Sequence, residues 1–195
     1  AELVSVLARD PDAIYLAGGQ ESGVTVIKEA TAGGFTGEWL FTADLAVPEI
    51  FDAAGAELIN DRAYVELADP DKSLQAYQDF AALHAEKHDG AEPGPFAANS
   101  FDMVMLVALA LEQAGACTGV AINDTIRSVS EGGEPVTSFA AGKEVIAAGG
   151  DVDYEGAAGP MTFDESGTVA GSYSIKAARD GAWVDERFIP ATAFE

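Results

Sequence analysis

The sequence predicts an α/β fold built around a mostly parallel sheet. Three short apolar runs, at residues 13–17, 39–41 and 63–67, have the length of buried strands. Segments with helical spacing of apolar residues separate these runs, and glycines or a proline mark the breaks. Strands that alternate with helices are typical of a parallel sheet covered by helices.

The elements of this first part follow from local patterns. Continuous apolar runs that stop at glycine predict buried strands, and glycine pairs or an N-terminal proline predict helix ends. In chain order we expect a helical turn at 2–9, a strand at 13–17, a helix at 23–32, a strand at 39–41, a short helix opened by Pro48 and stopped near Gly55, and a strand at 63–67.

The second part contains the clearest break in the chain, Gly-Ala-Glu-Pro-Gly-Pro at 90–95. Helices surround this break, and short strands joined by turn residues follow towards the end. The predicted elements are helices at 72–88, 101–114, about 123–130 and 137–148, a loop at 131–135, and strands at 161–163, 171–177 and 182–188.

The helix at 101–114 carries apolar residues around almost its whole circumference. Such a helix has to be buried on more than one side. The strands predicted for this chain do not supply that much cover. We therefore expect part of its packing partner to lie outside the 195 residues.

Composition and charge narrow the classes of function. The chain has 33 acidic and 10 basic residues, a formal net charge of −23, dispersed along its length. The electric field of this charge repels nucleic acid and anionic membrane surfaces. Such a charge is typical of a solvated acidic surface, including the surface of a protein adapted to high salt. The longest strongly apolar run, 103–111, is too short to cross a bilayer. The single cysteine, Cys117, excludes an internal disulfide.

No catalytic, cofactor or metal motif is recognisable. The chain has no nucleophile elbow, no phosphate loop and no dinucleotide fingerprint. His84 and His88 share a helix face, but the text between them is not the zinc-protease pattern, so surface histidines are expected. Asp151, Asp153 and Glu155 alternate without a calcium-loop pattern, which favours a solvated strand edge or hinge.

Three segments resemble one family. Residues 12–19 (DAIYLAGG), followed by a helix and 39–44 (WLFTAD), are similar to the second lobe of type I periplasmic binding proteins of the Leu/Ile/Val-binding family. Residues 96–102 (FAANSFD) look like the return to the first lobe. The most specific match is 151–167 (DVDYEGAAGPMTFDESG), which resembles the third crossing between lobes.

The resemblance implies a clamshell of parallel-sheet, three-layer lobes, here incomplete at the N-terminus. Residues 1–93 would form most of lobe two, 94–158 part of lobe one, and 159–195 the return to lobe two. The region that normally supplies the hydroxyls for a ligand carboxylate would be absent. This fragment is therefore expected to bind solute weakly, and either to associate through residues 96–148 or to be accompanied by the missing portion.

The family implies an extracytoplasmic receptor, periplasmic or at the cell surface, that captures an amino acid or related solute for an ABC transporter permease, without a cofactor or enzymatic activity. Two alternatives stay open, because one fold hosts many functions. They are an intracellular ligand sensor on the same fold and an α/β enzyme of unknown chemistry.

Four residues are candidates for the ligand site. Gly19 and Gln20 follow a strand end, where ligands bind in open α/β sheets, although a plain turn is the alternative. Asp44 follows the next strand, where the family often places an acid for a ligand ammonium; a helix cap is the alternative. Phe101 stands where the family often has an aromatic lining the cleft, and core packing is its alternative.

Overall fold

The computed structural model of the chain describes residues 2–194, which form two compact units. The first unit contains the residues up to Ala68 and the segment Tyr173–Ile189. The second contains Asp69–Ser172 and the residues from Pro190 onward. Residues 69–93 therefore pack with the second unit. The assignment of segments to lobes of a clamshell stays a prediction.

The first unit is built on a five-stranded sheet with the order β1-β2-β3-β7-β8. The first three strands are parallel, as predicted, and β7 and β8 continue the sheet in antiparallel pairing. Its elements are α1 (Glu2–Leu7), β1 (Ala13–Leu16), α2 (Gln20–Ala32), β2 (Glu38–Phe41), α3 (Ala56–Ile59), β3 (Ala63–Ala68), β7 (Tyr173–Arg179) and β8 (Ala182–Ile189).

Alternation along the strands determines which face of this sheet is buried. Trp39 and Phe41 of β2 are fully buried, with 0% and 1% of their surfaces exposed, whereas Leu40 between them is 42% exposed. Side chains on one face therefore form the core beneath the helices. Phe35 contacts the edge of Trp39, and Trp183 of β8 packs on Phe41.

The helical segment after Pro48 does not stop near Gly55 as predicted. A π-helical turn over Phe51–Gly55 leads directly into α3. Gly55 has a φ of 103°, which interrupts the regular helix without ending it. Buried Phe51, Ala54 and Ile59 hold both halves on the core, because tertiary packing outweighs the local break.

The second unit is mainly helical, with a small sheet of order β4-β5-β6. Strands β4 and β5 are parallel, and β6 pairs with β5 in antiparallel fashion. Its elements are α4 (Gln75–Lys87), α5 (Ala97–Ala114), α6 (Gly119–Thr125), β4 (Glu134–Val136), α7 (Phe139–Ala147), β5 (Val152–Gly156) and β6 (Gly159–Pro160).

Several expectations about this unit are wrong. Part of the expected loop at 131–135 lies in β4, which contains Pro135 and has only β5 as its neighbour in the sheet. Proline is tolerated at such an edge. Helix α6 begins at Gly119, because the Thr118 hydroxyl accepts a hydrogen bond from the Ala121 amide and caps it. The expected strand at 161–163 is reduced to a single bridge between Phe163 and Val169.

Helix α5 is buried on one side only. Leu106 and Leu109 have 4% and 0% of their surfaces exposed, whereas Met103 and Val104 have 61% and 63%. The expected exposed apolar surface of this helix is therefore present in the chain. No single helix within residues 2–194 has the length and apolar composition to span a membrane; α5 and α6 meet both criteria only as a pair, bent by 97°.

Candidate functional site

The candidate site of the first unit lies at the carboxyl ends of β1 and β2. The two strands are parallel neighbours, with Leu16 paired to Phe41 at their ends. Gly19 and Gln20 follow β1, and Asp44 follows β2 in a 3-10 turn over Ala43–Leu45. Because parallel strands end at the same edge of a sheet, these residues emerge on the same side of the unit.

A close packing contact joins the two segments. A Cβ atom added to Gly23, in the first turns of α2, would lie 2.6 Å from Cδ2 of Leu45. Leu45 is fully buried, so its side chain packs the turn that contains Asp44 against the start of α2. Glycine at position 23 therefore brings the segments after β1 and β2 together.

Gly19 presents open backbone at the start of α2. Its φ of −71° and ψ of 164° suit any residue, and a Cβ atom added there would meet nothing within 4 Å. None of the residues that the structure describes therefore requires glycine at this position. The first amide groups of α2 have no acceptor within the helix, and Gly19 supplies no side-chain cap. Gln20, the first residue of the helix, is half-buried beside them.

Asp44 is exposed and does not cap a helix. The helical segment at 51 begins without a side-chain cap, so the alternative role for this residue is not realised. The neighbouring Thr42 places a buried hydroxyl oxygen under the turn, and this oxygen has no hydrogen-bond partner among the described residues. Sequence reasoning did not single out Thr42, although it directly follows β2.

Phe101 lies in the second unit, on α5. It is half-buried, and its ring centre is 5.0 Å from that of Phe80 on α4. Tyr77 extends the same aromatic group. Phe101 therefore packs in the core of the second unit, which was the alternative role in the sequence analysis. A role in ligand binding stays a prediction.

Asp102, the next residue, is a buried carboxylate that sequence reasoning missed. It is 1% exposed and accepts hydrogen bonds from the Tyr154 hydroxyl and from the amides of Ala157 and Ala158, at 2.9, 2.8 and 2.7 Å. Burial raises the pKa of Asp102, and these hydrogen bonds oppose that effect. The sequence signal that could have identified Asp102 is an acidic residue within a mostly apolar helix.

Of the alternating acids at 151–155, Asp151 is exposed and precedes β5, and the other two belong to this strand, which has a buried face. In β5 the side chains of Val152 and Tyr154 are fully buried, whereas Asp153 and Glu155 are half-buried between them. Burial and the charge of Asp153 raise the pKa of Glu155. No group of three or more potential ligands within residues 2–194 could hold a metal ion.

Several solved structures of solute-binding proteins resemble the chain. A leucine-binding protein from Thermotoga maritima is 22% identical, with a TM-score of 0.72, over 98% of this chain and 48% of its own. A branched-chain amino acid binding protein from Streptococcus pneumoniae, in complex with isoleucine, is 20% identical, with a TM-score of 0.61, over 95% and 48%. A solute-binding protein from R. palustris, in complex with benzoate, is 14% identical, with a TM-score of 0.62, over 97% and 46%.

These similarities define the class of fold, and a sequence profile defines the family. The fold is that of type I periplasmic binding proteins, as the sequence predicted. The profile of the receptor family ligand binding region matches residues 1–179, and the chain belongs to that family. The chain spans about half the length of the solved structures it matches. No curated protein sequence matches it significantly.

Proposed function

We propose that the chain is part of an extracytoplasmic receptor that captures an amino acid for an ABC transporter. The observation that carries this proposal is that the start of α2 and Asp44 follow the carboxyl ends of two neighbouring parallel strands. The uncapped start of α2 offers amide groups and the positive end of a helix dipole, and Asp44 offers a carboxylate.

This arrangement complements a zwitterion. The first amides of α2 would donate hydrogen bonds to the ligand carboxylate, since helix N-termini bind anions. Asp44 would bind the ammonium through a charge-assisted hydrogen bond. Gly19 would allow the ligand to approach the backbone closely. An amino acid presents both charges on one carbon atom, whereas benzoate or a fatty acid lacks the ammonium.

We further propose that more polypeptide completes this receptor. Parallel sheets are normally covered on both faces, yet Tyr15 and Leu40, paired on the same face of the first sheet, are 60% and 42% exposed. In the second unit, Met103 and Val104 of α5 are exposed. Similar proteins are about twice as long. Either a further segment or a second copy, which would associate through residues 96–148, would cover the surface of α5.

A ligand screen followed by one substitution tests the amino-acid receptor. A thermal-shift screen measures how amino acids, amides and small carboxylates change the melting temperature of the polypeptide that the gene encodes. The 195-residue chain is screened in parallel. A ligand at about 100 times its dissociation constant adds about 2.7 kcal/mol to the free energy of unfolding. We expect amino acids to stabilise the encoded polypeptide more than carboxylates of similar size, and the 195-residue chain to respond weakly.

Asp44→Asn then tests the residue assignment by calorimetry. In the ligand-bound receptor the ion pair between Asp44 and the ligand ammonium would be buried, and loss of a charged partner at a buried ion pair costs about 2–5 kcal/mol of binding free energy. Glu29→Gln, which neutralises an exposed acid near the far end of α2, is the matched control and should leave affinity unchanged. Equal affinities of Asp44→Asn and the control would exclude the role of Asp44. A screen without any amino-acid hit would exclude the proposed ligand class.

A further inference from the structure

The two histidines of the chain form a stacked pair at α4, in the second unit. His84 and His88 are the only histidines in the sequence, and they stand four residues apart on one helix face. Their ring centres are 4.3 Å apart, and the ring planes are inclined by 29°. His84 is half-buried against Phe80, and His88 is exposed.

One hydrogen bond defines the tautomer of His84. Its Nδ1 lies 3.1 Å from the carbonyl oxygen of Ala91, in the loop after α4. A carbonyl oxygen only accepts, so Nδ1 carries the proton and donates it. The neutral ring therefore has its lone pair on Nε2. Metal-binding histidines are typically oriented in this way, with the second ring nitrogen bound to a carbonyl or carboxylate.

We propose that His84 and His88 form a two-histidine chelate for a late transition-metal dication such as Zn²⁺, Ni²⁺ or Cu²⁺. Two Zn–N bonds of about 2.1 Å at a tetrahedral angle hold their nitrogens about 3.4 Å apart. The ring centres of His84 and His88, 4.3 Å apart on one face of α4, are close enough for one metal ion to bind both rings. Because no group of three or more ligands occurs within residues 2–194, water completes the coordination.

The chemistry of the surroundings favours this class of metal. Imidazole prefers zinc, copper and nickel, whereas carboxylates and water suit calcium and magnesium. The net charge of −23 concentrates all cations near the surface, so selectivity has to come from the imidazole pair.

The test is calorimetric titration of the untagged chain with Zn²⁺ in moderate salt. Cys117→Ser serves as the background, because the free thiol of Cys117 is exposed. His88→Gln should lower the affinity for the first Zn²⁺ about tenfold or more, since the second ligand of a chelate acts at high effective concentration. Binding of Ca²⁺ to the acidic surface should not change.

A matched control tests the spacing. Glu86→His combined with His88→Gln keeps two histidines but separates them by two residues, which places them on different faces of α4. This variant should bind Zn²⁺ as weakly as His88→Gln alone. Nitrogen-15 NMR of the wild-type chain should show both imidazoles responding together at one equivalent of metal. Unchanged Zn²⁺ affinity in His88→Gln, or no response of the two imidazoles, would overturn the proposal.

Discussion

At the scale of single residues, the buried pair of Asp102 and Tyr154 shows how polar groups organise the second unit. Both are almost completely buried, and the Tyr154 hydroxyl donates to Oδ1 of Asp102 at 2.9 Å. With the two amides of Ala157 and Ala158, the carboxylate accepts three hydrogen bonds. Satisfied polar groups of this kind select one packing arrangement, because any other would leave a buried carboxylate unpaired.

The pair predicts unusual alkaline behaviour. Burial, followed by the charge of Asp102, raises the pKa of Tyr154 well above its usual value. In the unfolded chain Tyr154 ionises near pH ~10, so its contribution to stability is complete below that pH and is lost as the pH rises beyond it. Spectrophotometric titration of the folded chain should therefore not detect Tyr154, whereas titration of the unfolded chain should detect it.

Tyr154→Phe is the control for that titration. The folded variant should give the same titration amplitude as the folded wild-type chain, whereas the unfolded variant should give less than the unfolded wild type. A smaller amplitude in the folded variant would show that Tyr154 is accessible and would contradict the assignment.

At the scale of elements, segments with a clear apolar pattern and a glycine break were predictable, and segments without these local signals were not. Strands β1, β2 and β3 and helices α2, α4 and α5 lie where apolar pattern and glycine breaks predicted them, within a few residues. Strand β4 was missed because its three residues include Pro135, and its pairing with β5 comes from distant sequence. A local sequence pattern does not indicate which distant segment a strand pairs with.

The contact between α5 and the end of β5 depends on the absence of a side chain. A Cβ atom added to Gly156 would lie 2.5 Å from Oδ2 of Asp102, which three hydrogen bonds hold in place. Gly156→Ala should therefore lower the free energy of unfolding by about 1–3 kcal/mol, as overpacking typically does. Urea denaturation measures the change.

Gly119→Ala is the matched control for Gly156→Ala. A Cβ atom at Gly119 would meet nothing within 4 Å, and alanine is the better helix former at the start of α6. This variant should be as stable as the wild type or slightly more stable. Equal stability of both variants would mean that Asp102 moves aside easily.

At the scale of the whole molecule, charge opposes compaction. The chain carries a net charge of −23, and few basic residues are available to neutralise it. Self-repulsion of this size destabilises a compact state, and salt weakens it by shortening the Debye length from about 30 Å at ~0.01 M to about 3 Å at ~1 M. We therefore expect a higher melting temperature in molar sodium chloride than at low salt.

The salt response should depend on the charge itself. Near the isoelectric point, where the net charge is small, sodium chloride should change the melting temperature much less. Chloride is a weak salting-out ion, so the experiment tests the screening of charges more than the exclusion of salt from the protein surface. An equal melting temperature at low and molar salt, measured at neutral pH, would count against salt adaptation.

The exposed surface of α5 leads to a prediction about association. Contiguous exposed apolar patches mark interfaces, and Met103 and Val104 are 61% and 63% exposed. If the 195-residue chain is studied alone in molar salt, we expect concentration-dependent association in sedimentation experiments. Met103→Gln combined with Val104→Gln should reduce it without a change in net charge.

Val4→Gln is the control for that experiment. Val4 is 70% exposed but lies on α1 in the first unit, outside the proposed interface. It should leave association unchanged. A monomeric wild-type chain at all concentrations would exclude self-association through residues 96–148.

The sequence by itself determined the class of fold, the order of the parallel strands along the chain and the family, because apolar periodicity and the three family-like segments are local patterns. It also placed Gly19, Gln20 and Asp44 after strand ends. Only the tertiary structure decided that Gly23 and Leu45 join those segments, that Asp102 is buried among donors, and that His84 and His88 stack. These features depend on distances between side chains, which arise from packing and not from the spacing of residues along the chain.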